Sequence, residues 1–286
     1  MSLDIAAFFH AASSTYSYVV ADGAAKRAAV IDPVLDYDAA SGRSGTASAA
    51  KIVEHLKGRG YALDWILETH AHADHLSAAQ FLKKELGGKV AIGEGIREVQ
   101  ATFKALYNLG HDFKADGSQF DRLFEDGESF KIGGMAAQVL AMGGHTSDGV
   151  AYVLDDAAFV GDSLFMPDSG TARCDFPGGD AGKLYDSVRR LLDLPETTRL
   201  FMCHDYAPGG REHRNQTTVE EERRSNIHVK DGVSREDFIK LRQGRDATLP
   251  VPALLLPAIQ VNIRAGRFPE PDDNGVVYLR IPLDRF

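Results

Sequence analysis

The segment Thr69-His-Ala-His-Ala-Asp-His-Leu76 constrains this chain most, because it sets four metal-competent side chains within six residues, directly after the apolar run Trp65-Ile-Leu67. His70 and His72 stand two apart and project to the same side of an extended segment. Asp74 and His75 lie where the chain turns into the next helix, so the four can converge on one or two cations. A polar loop of surface histidines predicts neither the apolar strand leading in nor the helix leading out, and the pattern is read as a metal site. Three later residues fit as distant ligands, each at a predicted strand end beside glycine: His145 in Gly143-Gly-His-Thr146, Asp162 in Gly161-Asp-Ser163 and His204 in Met202-Cys-His-Asp205. Alone, each reads as a hydrogen-bonding group or a turn. Together with the first segment they account for five of the ten histidines, and the flanking glycines let backbone approach a shared centre. His10, His55, His111, His213 and His228 lack such context and read as surface or packing residues.

The surrounding pattern interleaves strands and helices. Ser17 to Pro33 reads as a hairpin about Asp22-Gly23, and Tyr37 to Thr46, rich in Ser, Gly and Asp, as a loop. Ala47 to Gly58 has helical apolar spacing, as does the stretch from Leu76 to its stop at Gly87-Gly88, while Trp65 to Thr69 and Val90 to Ile92 read as strands. Phe130 to Ile132, Ala136 to Met142, Val150 to Leu154 and Ala157 to Val160 follow as strands, with helices at Gly182 to Leu194 and Thr218 to Asn226. This mixture predicts a mixed sheet packed by helices, not a doubly wound parallel sheet. From His228 onward the chain reads as an extension docked on the same domain, giving a catalytic domain over 1–227 and an extension over 228–286.

Charge and composition exclude other classes. With 32 Lys+Arg against 41 Asp+Glu the net charge is −9, which argues against gripping phosphate backbones, so no nucleic-acid partner is expected. Hydrophobic residues at 44% suffice for a sizeable core. No apolar stretch approaches a membrane span and the N-terminus lacks a basic segment, so neither a membrane partner nor a signal peptide is expected. Two cysteines, Cys174 and Cys203, cannot build a disulfide framework and fit a reducing compartment, which makes the expected location cytoplasmic. A homodimer is compatible with all of this.

The order His-x-His-x-Asp-His, Gly-His-Thr, Gly-Asp and a late His resembles the metallo-β-lactamase superfamily, which implies an α+β fold, a four-layer αβ/βα sandwich with the metal at one edge. Glu68 to Ser77, Gly170-Thr-Ala-Arg-Cys-Asp-Phe176 with Pro177-Gly-Gly-Asp180, Cys203-His-Asp-Tyr206 and Gln260-Val-Asn-Ile263 further resemble the persulfide dioxygenases, from about Tyr16 to Pro282. That resemblance implies one Fe(II) per chain held by His70, His145 and Asp162, a facial triad whose open positions let O₂ and a sulfur substrate meet. His72, Asp74, His75 and His204 would then hydrogen-bond around the ligands. Catalytic roles fall to Tyr206, His204 and Asp74, with the Tyr206 phenol near the open face, and Arg173 is the leading anchor for a substrate carboxylate, its alternative being an ion pair to Asp175 or Asp168. The implied substrate is a small-molecule thiol persulfide, glutathione persulfide, oxidised with O₂ to sulfite and glutathione. The family usually carries Pro-Gly-His-Thr with a cysteine four residues after the histidine. Here Gly143-Gly-His-Thr146 leads into Ser147-Asp148-Gly149, which predicts a looser loop and an extra carboxylate near the metal. The same seven ligand candidates also suit two zinc ions in a glutathione-thioester hydrolase resembling glyoxalase II.

Overall fold

The computed structural model describes residues 3–285. Its first half runs β1 (Leu3–His10), β2 (Thr15–Asp22), β3 (Arg27–Ile31), β4 (Val34–Asp38), β5 (Arg43–Gly45), α1 (Ala47–Arg59), β6 (Ala62–Leu67), β7 (Leu76–Ser77), α2 (Ala79–Leu86), β8 (Lys89–Gly93), α3 (Ile96–Leu106) and β9 (Arg122–Phe124). The second half runs β10 (Ser129–Ile132), β11 (Met135–Ala141), β12 (Val150–Leu154), β13 (Ala157–Phe159), α4 (Ala181–Leu191), β14 (Arg199–Phe201), β15 (Gln216–Thr218), α5 (Val219–Ser225), α6 (Arg235–Asp246) and α7 (Leu255–Asn262).

Two six-stranded sheets result, ordered β1-β2-β3-β6-β8-β9 and β10-β11-β12-β13-β14-β15, and a small β5-β4-β7 sheet. Both large sheets are mixed, as expected: the β2–β3 hairpin is antiparallel, β3, β6, β8 and β9 run parallel, and β13 pairs parallel with β14. Side-chain alternation along each strand then fills two faces. The inner faces meet in an aromatic layer where Phe159 stacks on Phe201 at 4.9 Å, Tyr18 meets both edge-on, and Phe124, Phe130 and Tyr152 continue the contact. The outer face of the first sheet packs α1, α2, α3 and α7 through residues such as Ile52, Leu82, Phe103 and Ile259. The outer face of the second packs α4 and α6 through Leu184, Val188 and Phe238. This is the four-layer αβ/βα sandwich.

The reading of Tyr37 to Thr46 as a loop is corrected, since β4 and β5 pair antiparallel there, Asp36 opposite Gly45. The polar residues form the turn between them: the Asp38 carboxylate accepts from the Ala40 N–H at 2.9 Å and the Ser41 hydroxyl at 2.8 Å. α3 follows apolar residues at helical spacing, Ile96, Val99, Phe103 and Leu106, whereas β1 carries no strong local signal and is made a strand by its pairing along the whole of β2. Beyond residue 228 the chain is helical in α6 and α7, which contribute Phe238, Leu255, Ile259 and Val261 to the two outer cores.

His228, read as a surface or packing residue, is buried, its ring filling the space beside Gly170. Its Nδ1 accepts from the Thr171 N–H at 2.9 Å, which requires an unprotonated nitrogen there. Burial, with Arg242 and Arg245 nearby, pushes its pKa down to about 4. The unfolded chain therefore binds a proton that the folded one refuses between about pH 6.5 and 4, so stability is present above that window and is lost as pH falls through it. In denaturant titrations across this window, His228→Gln is expected to reduce the pH slope by about 1.4 kcal/mol per pH unit, one proton's worth.

Candidate metal centre and its pocket

Four chain segments deliver the predicted ligands to one edge of the sandwich: the turn after β6, the β11–β12 loop, the 3₁₀ turn Gly161–Ser163 after β13, and the segment after β14. The sheets are joined at this edge by a bridge between Thr15 and His204 and by the Tyr16 N–H donating to Cys203 O at 2.7 Å. All seven predicted ligand residues come together here. His70, His145 and Asp162 form one group, and His72, Asp74, His75 and His204 a second; within each group the candidate ligand atoms lie within 4.8 Å of one another. Asp162 touches both groups: its Oδ2 faces His70 Nε2 at 3.9 Å and His145 Nε2 at 3.7 Å, and its Oδ1 faces His204 Nε2 at 3.3 Å.

The imidazole tautomers are set by the other ring nitrogen. His145 Nδ1 donates to the Arg173 carbonyl at 2.6 Å and His70 Nδ1 to Thr69 Oγ1 at 3.0 Å, freeing both Nε2 lone pairs. Thr69 Oγ1 in turn donates to Asp32 Oδ2, while Asp32 Oδ1 accepts from the Thr69 N–H at 2.7 Å and His72 Nε2 at 2.9 Å. His72 is thereby left with a bare Nδ1. His70 Nε2, His72 Nδ1, His75 Nε2, His204 Nε2 and Asp162 Oδ1 are buried and have no hydrogen-bond partner. Buried polar atoms without partners are costly, and nitrogen and carboxylate lone pairs converging in this way are a donor set for a cation.

Charge follows the same geometry. Burial, then neighbouring His72, holds the His70 imidazole well below its ordinary pKa, and burial with His75 does the same for His72, so both are neutral and ready to ligate. Burial also opposes charge on His204, but Asp162 and Asp74 outweigh it and raise its pKa. Asp74 is driven well below the carboxylate range despite its burial, through His204 and His75. Beneath the site, burial and Asp32 push Glu68 well above its ordinary value.

Several supporting residues escaped the sequence reading. Thr15 contacts His204 Nδ1 at 3.3 Å and His75 Nδ1 at 3.5 Å, and nothing around it in sequence marks it. Asp32 lies in the predicted hairpin, where an Asp before Pro reads as a turn residue. Asp148, by contrast, is the carboxylate that the sequence places near the metal; it is buried and accepts from the Ala71 N–H at 2.8 Å, so it braces the backbone between His70 and His72. The β11–β12 loop without its proline is fixed from outside: Gly143 O accepts from Ser187 Oγ at 2.8 Å and Gly144 O from the Asp180 N–H at 2.8 Å. Gly144 has φ of +133° and a Cβ there would lie 2.2 Å from Leu184 N, so only glycine fits against α4.

A cavity of about 540 Å³ opens over Asp162, His145 and Asp74, with mostly apolar walls from Phe165, Phe176 and Leu249 to Leu254. Tyr206 lies at its mouth, more than half exposed, stacked on His204 at 5.8 Å and edge-on to Phe165 at 5.7 Å. Arg173 lines the cavity, but its guanidinium is committed: it grips Asp175 in two-pronged fashion at 2.6 and 2.7 Å and donates to Pro250 O. Among the described residues, Arg245 of α6 is the arginine on this wall without a carboxylate within ion-pair distance, whereas Arg242 pairs with Asp246 at 2.7 Å.

Residues 11–204 match the family model described as "Metallo-beta-lactamase superfamily". The chain belongs to the metallo-β-lactamase superfamily. Within the superfamily it is 51% identical to a "Probable metallo-hydrolase" of Burkholderia pseudomallei, over 99% of both chains. It is 50% identical to "Glyoxylase B2" of Dictyostelium discoideum, over 95% of this chain and 94% of that one. The human mitochondrial persulfide dioxygenase ETHE1 is 31% identical over 90% of this chain and 87% of that protein. Among solved structures, ETHE1 from Myxococcus xanthus superposes with a TM-score of 0.74 at 30% identity, over 93% of this chain and 100% of that one. A protein solved in a di-iron-bound form superposes at 0.52 and 26% identity, over 74% and 94%. No helix among the described residues is long and apolar enough to cross a membrane.

Because Asp162 faces both ligand groups, Asp162→Ala is expected to lower metal content at least tenfold, read by elemental analysis, while circular dichroism keeps the wild-type fold.

Proposed function

We propose that the chain is an iron-dependent persulfide dioxygenase, with one Fe(II) held by His70, His145 and Asp162. The observation that carries this reading is the three-residue face itself: two Nε2 atoms and one carboxylate meet beside a roomy, mostly apolar cavity, with the other ring nitrogens already engaged. The chain's 31% identity to persulfide dioxygenases over 90% of its length supports it. Bound there, iron(II) supplies the means to bring O₂ and a thiolate-like sulfur together for electron transfer. The net change is R–SSH + O₂ + H₂O → R–SH + SO₃²⁻ + 2H⁺, in which the outer sulfur gives up four electrons and dioxygen takes them.

The residues around this face have distinct roles. Tyr206 Oη, at the cavity mouth, donates a hydrogen bond to the reacting sulfur or oxygen. Asp74 and His204, held by Thr15 and Ser14, receive and pass the protons released as water adds. The apolar walls exclude bulk water. The substrate is a small thiol persulfide such as glutathione persulfide, and its carboxylate is assigned to Arg245, the arginine with donors to spare; Arg173 acts instead through its carbonyl, which fixes His145.

One observation favours a second reading. The group His72, Asp74, His75 and His204 is complete and gathered as closely as the first, which would suit two zinc ions and hydrolysis of a glutathione thioester. The 50% identity to a protein named for glyoxylase supports that alternative.

The two separate by metal content and oxygen uptake of anaerobically purified protein. About one iron per chain with O₂ consumption on adding glutathione persulfide is expected; two zinc ions, no uptake and hydrolysis of S-lactoylglutathione would favour the hydrolase. Tyr206→Phe is expected to keep its iron and lose roughly 100-fold in kcat, the low end of the range for one lost acid or hydrogen-bonding group.

A further inference from the structure

Asn262, the last residue of α7, lies far along the chain from the metal-binding segment yet is buried against it. Its side-chain Nδ2 donates one hydrogen bond to His72 O and another to His75 O, both at 2.8 Å, and its Oδ1 accepts from the Ser77 N–H at 2.9 Å. Both donor hydrogens are thus used, and they bracket Asp74, tying together the two ends of the turn that aims Asp74 and His75. No other side chain donates to these two carbonyls among the described residues.

The other ligand group is held by different means. His70 is oriented by Thr69 and Asp32, His145 by the Arg173 carbonyl, and the Ala71 amide by Asp148. Among the described residues the Asn262 side chain makes no hydrogen bond to any of these. Its helix is fixed in turn by the tail: Gln260 Nε2 donates to Arg280 O and the Arg280 N–H donates to Gln260 Oε1, both at 2.9 Å. Gln80 Nε2 adds a bond to Ala265 O at 2.7 Å.

We infer that Asn262 is a positioning residue by which the C-terminal extension sets the Asp74–His75 side of the metal centre, independently of the His70–His145–Asp162 side. Only a carboxamide offers the needed atoms, because alanine supplies no polar atom and aspartate keeps the acceptor for Ser77 but loses both donors. The inference rests on the metal reading of the site and holds whichever reaction the centre runs.

The test uses the full-length, iron-loaded protein with Asn262→Ala and Asn262→Asp, read by amide hydrogen exchange, metal content and steady-state kinetics. For Asn262→Ala, exchange at Ser77 is expected to speed up at least tenfold while Ala71 stays protected, iron per chain stays within twofold of wild type, and kcat falls about tenfold with KM within threefold. Asn262→Asp, which keeps the volume should the alanine variant fail to fold, is expected to leave Ser77 protected yet lower kcat comparably. Uniform acceleration of exchange across the chain would make Asn262 a general fold contact and overturn the inference. So would loss of iron in either folded variant, or a wild-type kcat in Asn262→Asp. If wild type consumes no O₂ with glutathione persulfide, the dioxygenase reading fails, whereas the exchange and metal readouts still decide the role of Asn262.

Discussion

Burial of imidazoles and carboxylates at one edge of the sandwich is the constraint that shapes everything around it. Each such group loses hydration on folding, and a charge left alone there would be prohibitive. The structure answers by giving many of the outward-facing polar atoms a defined partner. The Asp32 carboxylate takes the Thr69 amide, the Thr69 hydroxyl and His72, the Arg173 carbonyl takes His145, and Asp148 takes the Ala71 amide. Without a partner stay the inner ring of lone pairs and, around it, Glu68 Oε2, Thr146 Oγ1 and Asp148 Oδ1. A dense outer shell around a bare inner ring distinguishes a metal site from a cluster of buried hydrogen bonds.

That shell is assembled from distant parts of the chain, so fold and site cannot be separated. Thr15 comes from the start of β2, Arg173 from the segment before α4, and Asn262 from the end of α7. The sheets meet at the Thr15–His204 bridge, and the two halves of the chain approach each other directly beneath the ligands. The aromatic layer around Phe159 and Phe201 keeps the sheets at fixed separation, and a small shift in it would move Asp162, three residues beyond Phe159, relative to His70.

Much of this was legible in the residue order. His-x-His-x-Asp-His after an apolar strand announces ligands because alternation in an extended segment and the turn into a helix fix side-chain direction locally. The β2–β3 hairpin, α1, α2 and α4 were similarly local, carried by apolar period and glycine stops. The β4–β5 pair was hidden because polar turn chemistry and loop composition look alike. Arg173 shows the limit for a single side chain: a substrate anchor and an ion pair to Asp175 are both open in sequence, and how the loop bends decides for Asp175.

Residue order alone picked out the candidate metal-ligating side chains and the α+β alternation that carries them, since each follows from a pattern within a few residues. Three-dimensional packing was needed to establish which candidate ligands share a group, that Asp162 faces both, that Arg173 is paired with Asp175 while Arg245 has no carboxylate partner among the described residues, and that Asn262 braces the turn holding Asp74 and His75. These facts depend on distances between segments up to about 190 positions apart, as from Asn262 to His72, and such distances are set by the packing of sheets and helices and by no local preference.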